Sequence, residues 1–183
     1  FSDRSDLEMI KKINVVVGSF LTQFIIVGML FTYGVLMTEL EKEFGWSRTI
    51  LSSIGAAGWL AWGIFAIPGG YLNDRLGPKI VVGVNGFIFG IGFILFSKSS
   101  EVWHLFLIFI FFIGIGLSSH DISTLSTIAK WFESKRGLMT SIAKIGTAMG
   151  QMVMPPLIAF LIISFGWRIA TYYLGILASI GLV

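Results

Sequence analysis

"GYLNDRLGPK" (residues 70–79) separates two runs that are almost pure hydrocarbon, and into ten residues it packs three charges, an Asn-Asp-Arg step and a Gly-Pro pair. A tether between two apolar helices needs only to be short and polar, so this crowding asks for an explanation. The flanking runs, 49–72 and 80–97, are each close to the 20 or so apolar residues that cross a bilayer as a helix. Outward from them lie 13–38 on one side and 102–129 and 138–164 on the other, and a sixth run starts at Ile169. Charged residues make up only 13% of the 183 and hydrophobic ones 55%, where soluble domains carry roughly 25% charged. With a mean hydropathy of +0.87 and no strand-like alternation, the expectation is an all-α polytopic membrane protein of six transmembrane helices.

The sixth run, 169–183, has 15 residues, which as a helix reach about 22 Å against a hydrocarbon core of about 30 Å. The reading therefore expects the chain to stop inside its sixth span, and a start at Phe1 expects it to be a piece of a longer protein. The first run is too long for a signal-peptide core and no small-x-small cleavage site follows it, so it is expected to remain.

The net charge of +3 is topology rather than a nucleic-acid footprint. With the amino terminus inside, Arg4, Lys11, Lys12, Arg75, Lys79, Lys130, Lys135 and Arg136 fall on the cytoplasmic side, and only Lys42, Arg48, Lys98 and Arg168 fall opposite. That bias orients a multi-pass protein of the cell's inner (plasma) membrane. Trp46, Trp103 and Trp167 all come at external ends, where amphipathic rings suit the headgroup layer. With no cysteine and only two histidines, no metal site is expected, and "GIG" at 114–116 lacks the strand and last glycine of a dinucleotide fingerprint, so no cofactor is expected either.

The connections are short, so the work falls between helices. Gly83, Gly86 and Gly90 on the third run and Gly146 and Gly150 on the fifth mark faces where backbones approach closely. Pro155 and Pro156 interrupt the amide ladder of the fifth. Ionisable residues within spans are costly and each is a functional hypothesis. On the fifth run, Ser141, Lys144, Ala148 and Gln151 share one helical face with Thr147 beside them. Lys144 either lines a cavity as its cation or snorkels to the cytoplasmic headgroups. On the fourth, "SSHDISTLST" (118–127) puts His120, Thr124 and Thr127 on one face with Asp121 a step around. His120 and Asp121 either relay a proton or Asp121 makes a structural ion pair with Arg75 or Lys79. Gln23 and Tyr33 on the first run either line a cavity or bond across helices.

The opening stretch resembles the loop between helices two and three of the major facilitator superfamily, roughly Gly-x-Leu-x-Asp-Arg-x-Gly-(Arg/Pro)-(Lys/Arg), with Gly70, Leu72, Asp74, Arg75, Gly77 and Lys79 matching. Six spans, an inside amino terminus and the connection lengths are similar to one half of that twelve-helix fold. "FGWSR" (44–48) and "WFESKRGLMTSIAKIG" (131–146) look like its monocarboxylate transporter and oxalate/formate antiporter group, with Trp131, Phe132, Lys135, Arg136, Leu138, Ala143 and Gly146 in place. The acidic Gly/Trp motif of the animal monocarboxylate transporters is absent, and Phe31 replaces their first-helix lysine, which turns the resemblance toward bacterial members.

The resemblance implies secondary transport of a small organic anion, with protons or a second anion as coupling partner, by alternating access against a missing C-terminal six-helix half. It also implies that Asp74 reaches that half and helps close the cytoplasmic side; Arg75 and Lys79, on the reading of the residues themselves, are expected to hold the stretch locally with Asp121 or Glu133 as partners. Another substrate class on the same scaffold (sugar, drug, other metabolite) stays open. An intramembrane enzyme would need a nucleophile or metal cluster near His120 and Asp121, and a sensor would carry an added soluble domain; neither is spelled out.

Overall fold

The computed structural model describes residues 2–182, with side chains from Glu8 to Leu182; the Arg4 side chain, counted above among the inside charges, and Val183 lie outside the described residues. The first span is α1 (Ser2–Phe31) followed, after Thr32, by α2 (Tyr33–Phe44). The second is α3 (Arg48–Leu76) and the third α4 (Pro78–Phe96). The fourth is assembled from α5 (Val102–Leu107), a π-helix (Ile108–Ile113), α6 (Gly114–Leu117) and α7 (His120–Trp131). The fifth is α8 (Arg136–Phe165) and the sixth α9 (Trp167–Gly181). Five of these are long and apolar enough to cross a membrane; α9 is a helix of 15 residues over its described length.

The helices outrun the hydrocarbon stretches, so the expected loops shrink. "ELEKEFGWSR" is helical through Phe44, and the turn is Gly45 to Ser47, with Gly45 left-handed (φ 67°). Ser47 then caps α3 by accepting the Ile50 amide. "FGWR" shrinks to Gly166 (φ 82°). The opening stretch is likewise no loop: α3 continues to Leu76, α4 starts at Pro78, and Gly77 alone turns the chain at φ 84°. Only glycine takes that geometry without strain, and proline suits the first helical position because its missing amide would have had no partner. The crowding is thus a helix end, a pivot and a helix start laid end to end. Pro155 and Pro156 fall inside α8, which runs on past both, so the expected interruption does not break the helix.

Helix pairing follows the small residues. α1 lies along α8, where Gly28 and Gly150 bring the two backbones together. α4 lies along α9, where Gly90 faces Gly175 and Gly86 faces Leu182; Gly83 instead borders a surface groove with Lys79 and Phe87. α3 packs on the fourth span, Gly58 against Phe109, Gly69 against Ser118 and Ala61 against Gly114. First with fifth, second with fourth and third with sixth is the pairing of two three-helix repeats in which first matches fourth, second fifth and third sixth. An odd number of spans per repeat inverts one repeat relative to the other, as in transporter folds.

The end of the bundle that carries Gly45 and Gly166 is tied by a cluster the sequence did not announce. Glu43 accepts hydrogen bonds from Trp167 Nε1 and Arg168, and Arg168 also donates to the Ser99 carbonyl. Trp167 is 6% exposed, so it is a packed, bonded residue rather than a free anchor; Trp103 is 58% exposed. The two "FGW" copies meet here, Phe44 edge-on to Trp167, although their glycines take different conformations.

This geometry sharpens a topology test. Asn73 and Ser99 are each 2% exposed and would report poorly, whereas Ser134 and Ser100 are exposed. A cysteine at Ser134 is expected to react with an impermeant maleimide only from the cytoplasmic side and one at Ser100 only from outside. Outside labelling of Ser134 overturns the inside amino terminus.

Candidate functional site

Three spans converge on one polar cluster. Gln23 of α1 is fully buried and uses both ends of its amide: Nε2 donates to Asp121 Oδ1 at 2.7 Å and to Thr124 Oγ1 at 3.0 Å, and Oε1 accepts from Thr147 Oγ1 at 2.9 Å. Lys144 of α8 pairs with the same Asp121 Oδ1. Asp121 and Lys144 keep 35% and 39% of their side chains exposed, so the pair is held on its buried side and open on the other. Lys144 therefore points to a carboxylate inside the bundle, which corrects the snorkelling alternative. Asp121 does not take Arg75 or Lys79; Arg75 lies over the Tyr71 ring at 4.4 Å. Among the described residues neither cation pairs with Asp121 or Glu133, so the expected local partners are wrong. The geometric reason is register: Gly70 meets Ile122 and Asn73 meets Ser123 and Ser126, so Arg75 and Lys79 lie further along α7 than Asp121 in its first turn.

The fourth span supplies this carboxylate at a break. Ser118 and Ser119 interrupt the helix, and α7 restarts at His120 with Asp121 in its first turn, where the amide dipoles favour an anion. Side chains knit the break: Ser118 Oγ donates to the Ile115 carbonyl, and Asn85 of α4 donates to Ser118 Oγ and Ser119 Oγ. His120 is 4% exposed and its Nδ1 lies 2.7 Å from the Leu117 carbonyl. A carbonyl only accepts, so Nδ1 carries the proton. Nε2 then faces Asp121 Oδ1 at 3.7 Å, too far for a hydrogen bond, and the ring lies beside Trp62 of α3, centroids 5.7 Å apart.

The remaining candidates separate from this cluster. Ser141 is exposed and bonds its own helix at the Gly137 carbonyl. Gln151 is half-buried and has no side-chain hydrogen bond among the described residues. Tyr33 donates to the Leu51 carbonyl at 2.8 Å and packs at a tilt by Phe109, so it ties the first span to the second. Asn73 of the Gly70–Lys79 stretch is buried, accepting from Ser123 Oγ at 2.7 Å, and tethers that stretch to α7; Asp74 is exposed beside it. Thr124 stood on the polar face read from the sequence, whereas Asn85 and Trp62 were not singled out in advance. Asn85 had a signal, since it is a lone amide in an apolar run; Trp62 had none.

Comparison with known proteins gives the arrangement its relatives. The chain is 31% identical over 173 residues to the agnestins efflux protein AgnL12 of Paecilomyces divaricatus, covering 88% of this chain and 39% of that protein. It is 26% identical over 166 residues to monocarboxylate transporter 14 of Mus musculus, covering 89% and 32%. It is 31% identical over 149 residues to the probable L-galactonate transporter of Escherichia coli K12, covering 78% and 32%. The chain thus spans about a third of the length of these relatives. It superposes on the inward open xylose transporter XylE from E. coli with a TM-score of 0.73 at 19% identity, over 93% of this chain and 46% of that one. That likeness establishes the fold: six helices arranged as one half of the transporter. The sequence profile of the Major Facilitator Superfamily matches residues 19–183, and the chain belongs to that superfamily.

Proposed function

We propose that residues 1–183 form the N-terminal six-helix half of a secondary carrier that moves a small organic monocarboxylate across the plasma membrane. The amino terminus is cytoplasmic, and the half works by alternating access against a second six-helix half. The observation that carries this is the Lys144–Asp121 pair, half-open and held by Gln23 where the first, fourth and fifth spans meet. The relatives' names agree in chemistry, since monocarboxylates and galactonate both present a carboxylate.

The charge arithmetic supports coupling to a proton. The empty site is neutral, Lys144 against Asp121. An arriving carboxylate adds one negative charge, and a net charge within the membrane is expensive. Protonating Asp121 removes that charge and releases Lys144 to bind the substrate carboxylate, so the loaded site is neutral again. His120 Nε2, the imidazole nitrogen 3.7 Å from Asp121 Oδ1, passes the proton once the ring moves within hydrogen-bond reach. Asp74, exposed at the end of α3, meets the second half when the cytoplasmic side closes.

In liposomes holding the complete carrier, an acidic exterior is expected to accelerate uptake of a radiolabelled monocarboxylate. In Asp121→Asn, counterflow exchange persists while the response to the pH gradient disappears. Uptake no faster than in protein-free liposomes sinks the carrier reading. A wild-type rate that ignores the gradient sinks the proton and leaves anion exchange.

A further inference from the structure

We infer that the carrier's carboxylate substrate has an apolar, ring-sized body, seated in the cavity between the first, second and fourth spans. This rests on the proposal that Lys144 receives a carboxylate. A cavity of about 250 Å³ opens there, bordered by Phe31, Gly34, Met37, Trp59, Phe109 and Leu117. Its side-chain lining is carbon apart from two groups: the Tyr33 hydroxyl, which already donates to the Leu51 carbonyl, and the Trp59 indole N–H. A dry cavity of about 150 Å³ accepts benzene, so this one has room for a ring and a few further carbons.

Two features join the cavity to the charged pair. Trp59 lies in its wall and also, with Trp62 and Asp121, in the wall of an adjoining cleft. The rings of Trp59, Trp62 and His120 follow one another at 5.1 and 5.7 Å, an aromatic strip from the cavity to Asp121. Leu117, in the cavity wall, precedes Asp121 by four residues across the Ser118–Ser119 break, about one turn of chain and within reach of a two-carbon link between a carboxylate and a ring. The π-helix at Ile108–Ile113 has its own bearing on this. Such widened turns gather at functional sites, and both Phe109 and Ile113 line the cavity. Phe109 is held in place by Tyr33 at 4.5 Å and by the absence of a side chain at Gly58.

The test compares phenylpropionate with propionate, which differ only by the ring, on the complete carrier in liposomes. Burial of the ring is expected to lower KM by about tenfold or more. A Cβ at Gly34 meets nothing within 4 Å, so Gly34→Leu places its side chain in the cavity without displacing backbone. It is expected to raise the phenylpropionate KM by about tenfold and to leave propionate within about twofold, and Met37→Phe, one turn along the same wall, is expected to do the same. Equal KM values in the wild type overturn the inference, as does a change common to both acids in both variants. So does no change in either, the result expected if a side chain of the second half fills the cavity. Transport of neither acid defeats the carboxylate reading itself, whereas transport of propionate alone defeats only this inference.

Discussion

Exchange of Lys144 for alanine is expected to lower monocarboxylate uptake about 10- to 100-fold, the loss of one charge-assisted hydrogen bond to the transported anion. Protein stability is expected to change much less. The pair is more than a third open on either side, and half-solvated ion pairs contribute about 1 kcal/mol or less; Asp121 also keeps the Gln23 amide. A structural tie would behave in the opposite sense, with a lower melting temperature and normal transport by whatever protein survives. Double substitution separates the two further. If the pair only holds α7 to α8, Lys144→Asp with Asp121→Lys restores the tie and restores transport. If Lys144 must face the substrate from the fifth span, the exchanged pair restores expression and leaves uptake low. Lys144→Arg is the milder probe: it keeps the charge, but its planar fork suits two-point contact rather than a point contact, and its expected signature is a raised KM. Unchanged uptake in Lys144→Ala would end the assignment.

The spans and the transporter half were legible because a bilayer demands long apolar runs, and five such runs are spelled out between charge clusters. Their ends were not, since helices need no hydrocarbon to continue: "ELEKEF" carries helix formers, "NDRL" stays helical despite Asn and Asp, and only Gly45 and Gly77 stop them. Polar residues in the spans announced Gln23, Asp121 and Lys144 one by one. Their meeting was hidden, because Lys144 and Asp121 lie on different helices whose rotation is set by Gly146 and Gly150 against α1. The misassigned partners of Arg75 have the same origin: a loop cation is close to Asp121 in sequence logic, yet Asp121 starts a helix inside the bundle. Trp167 illustrates a different limit. A tryptophan at a span end reads as an interfacial anchor, and nothing local reveals that Glu43, far away in the chain, will accept its indole hydrogen.

Gly150→Leu is expected to be the most damaging single change in the half. A Cβ there would fall on the Phe24 carbonyl oxygen and within 3.1 Å of Gly28 N and Cα. All of these are backbone atoms of α1, so no rotamer change can make room. From the other side, a Cβ on Gly28 meets the Gly150 carbonyl oxygen at 2.9 Å; the two glycines form one contact, and either substitution drives the helices apart. Separation also forfeits the Thr147–Gln23 hydrogen bond of 2.9 Å one turn away, and with it the orientation of the amide that holds Asp121. Overpacking usually costs about 1–3 kcal/mol and more where backbone must move. At the upper end, with about 2–4 °C lost per kcal/mol in a chain of this size, the melting temperature in detergent is expected to fall by roughly 6–12 °C or more. Gly18→Leu is the matched control, on the same α1 but with nothing within 4 Å of its Cβ, and is expected to melt like the wild type. Equal stability of the two variants would mean that α1 and α8 do not touch at Gly28 and Gly150. The Gln23 cluster would then lose its frame: Gln23 reaches Thr147 and Asp121 together only if the first and fifth spans are as close as two bare backbones allow.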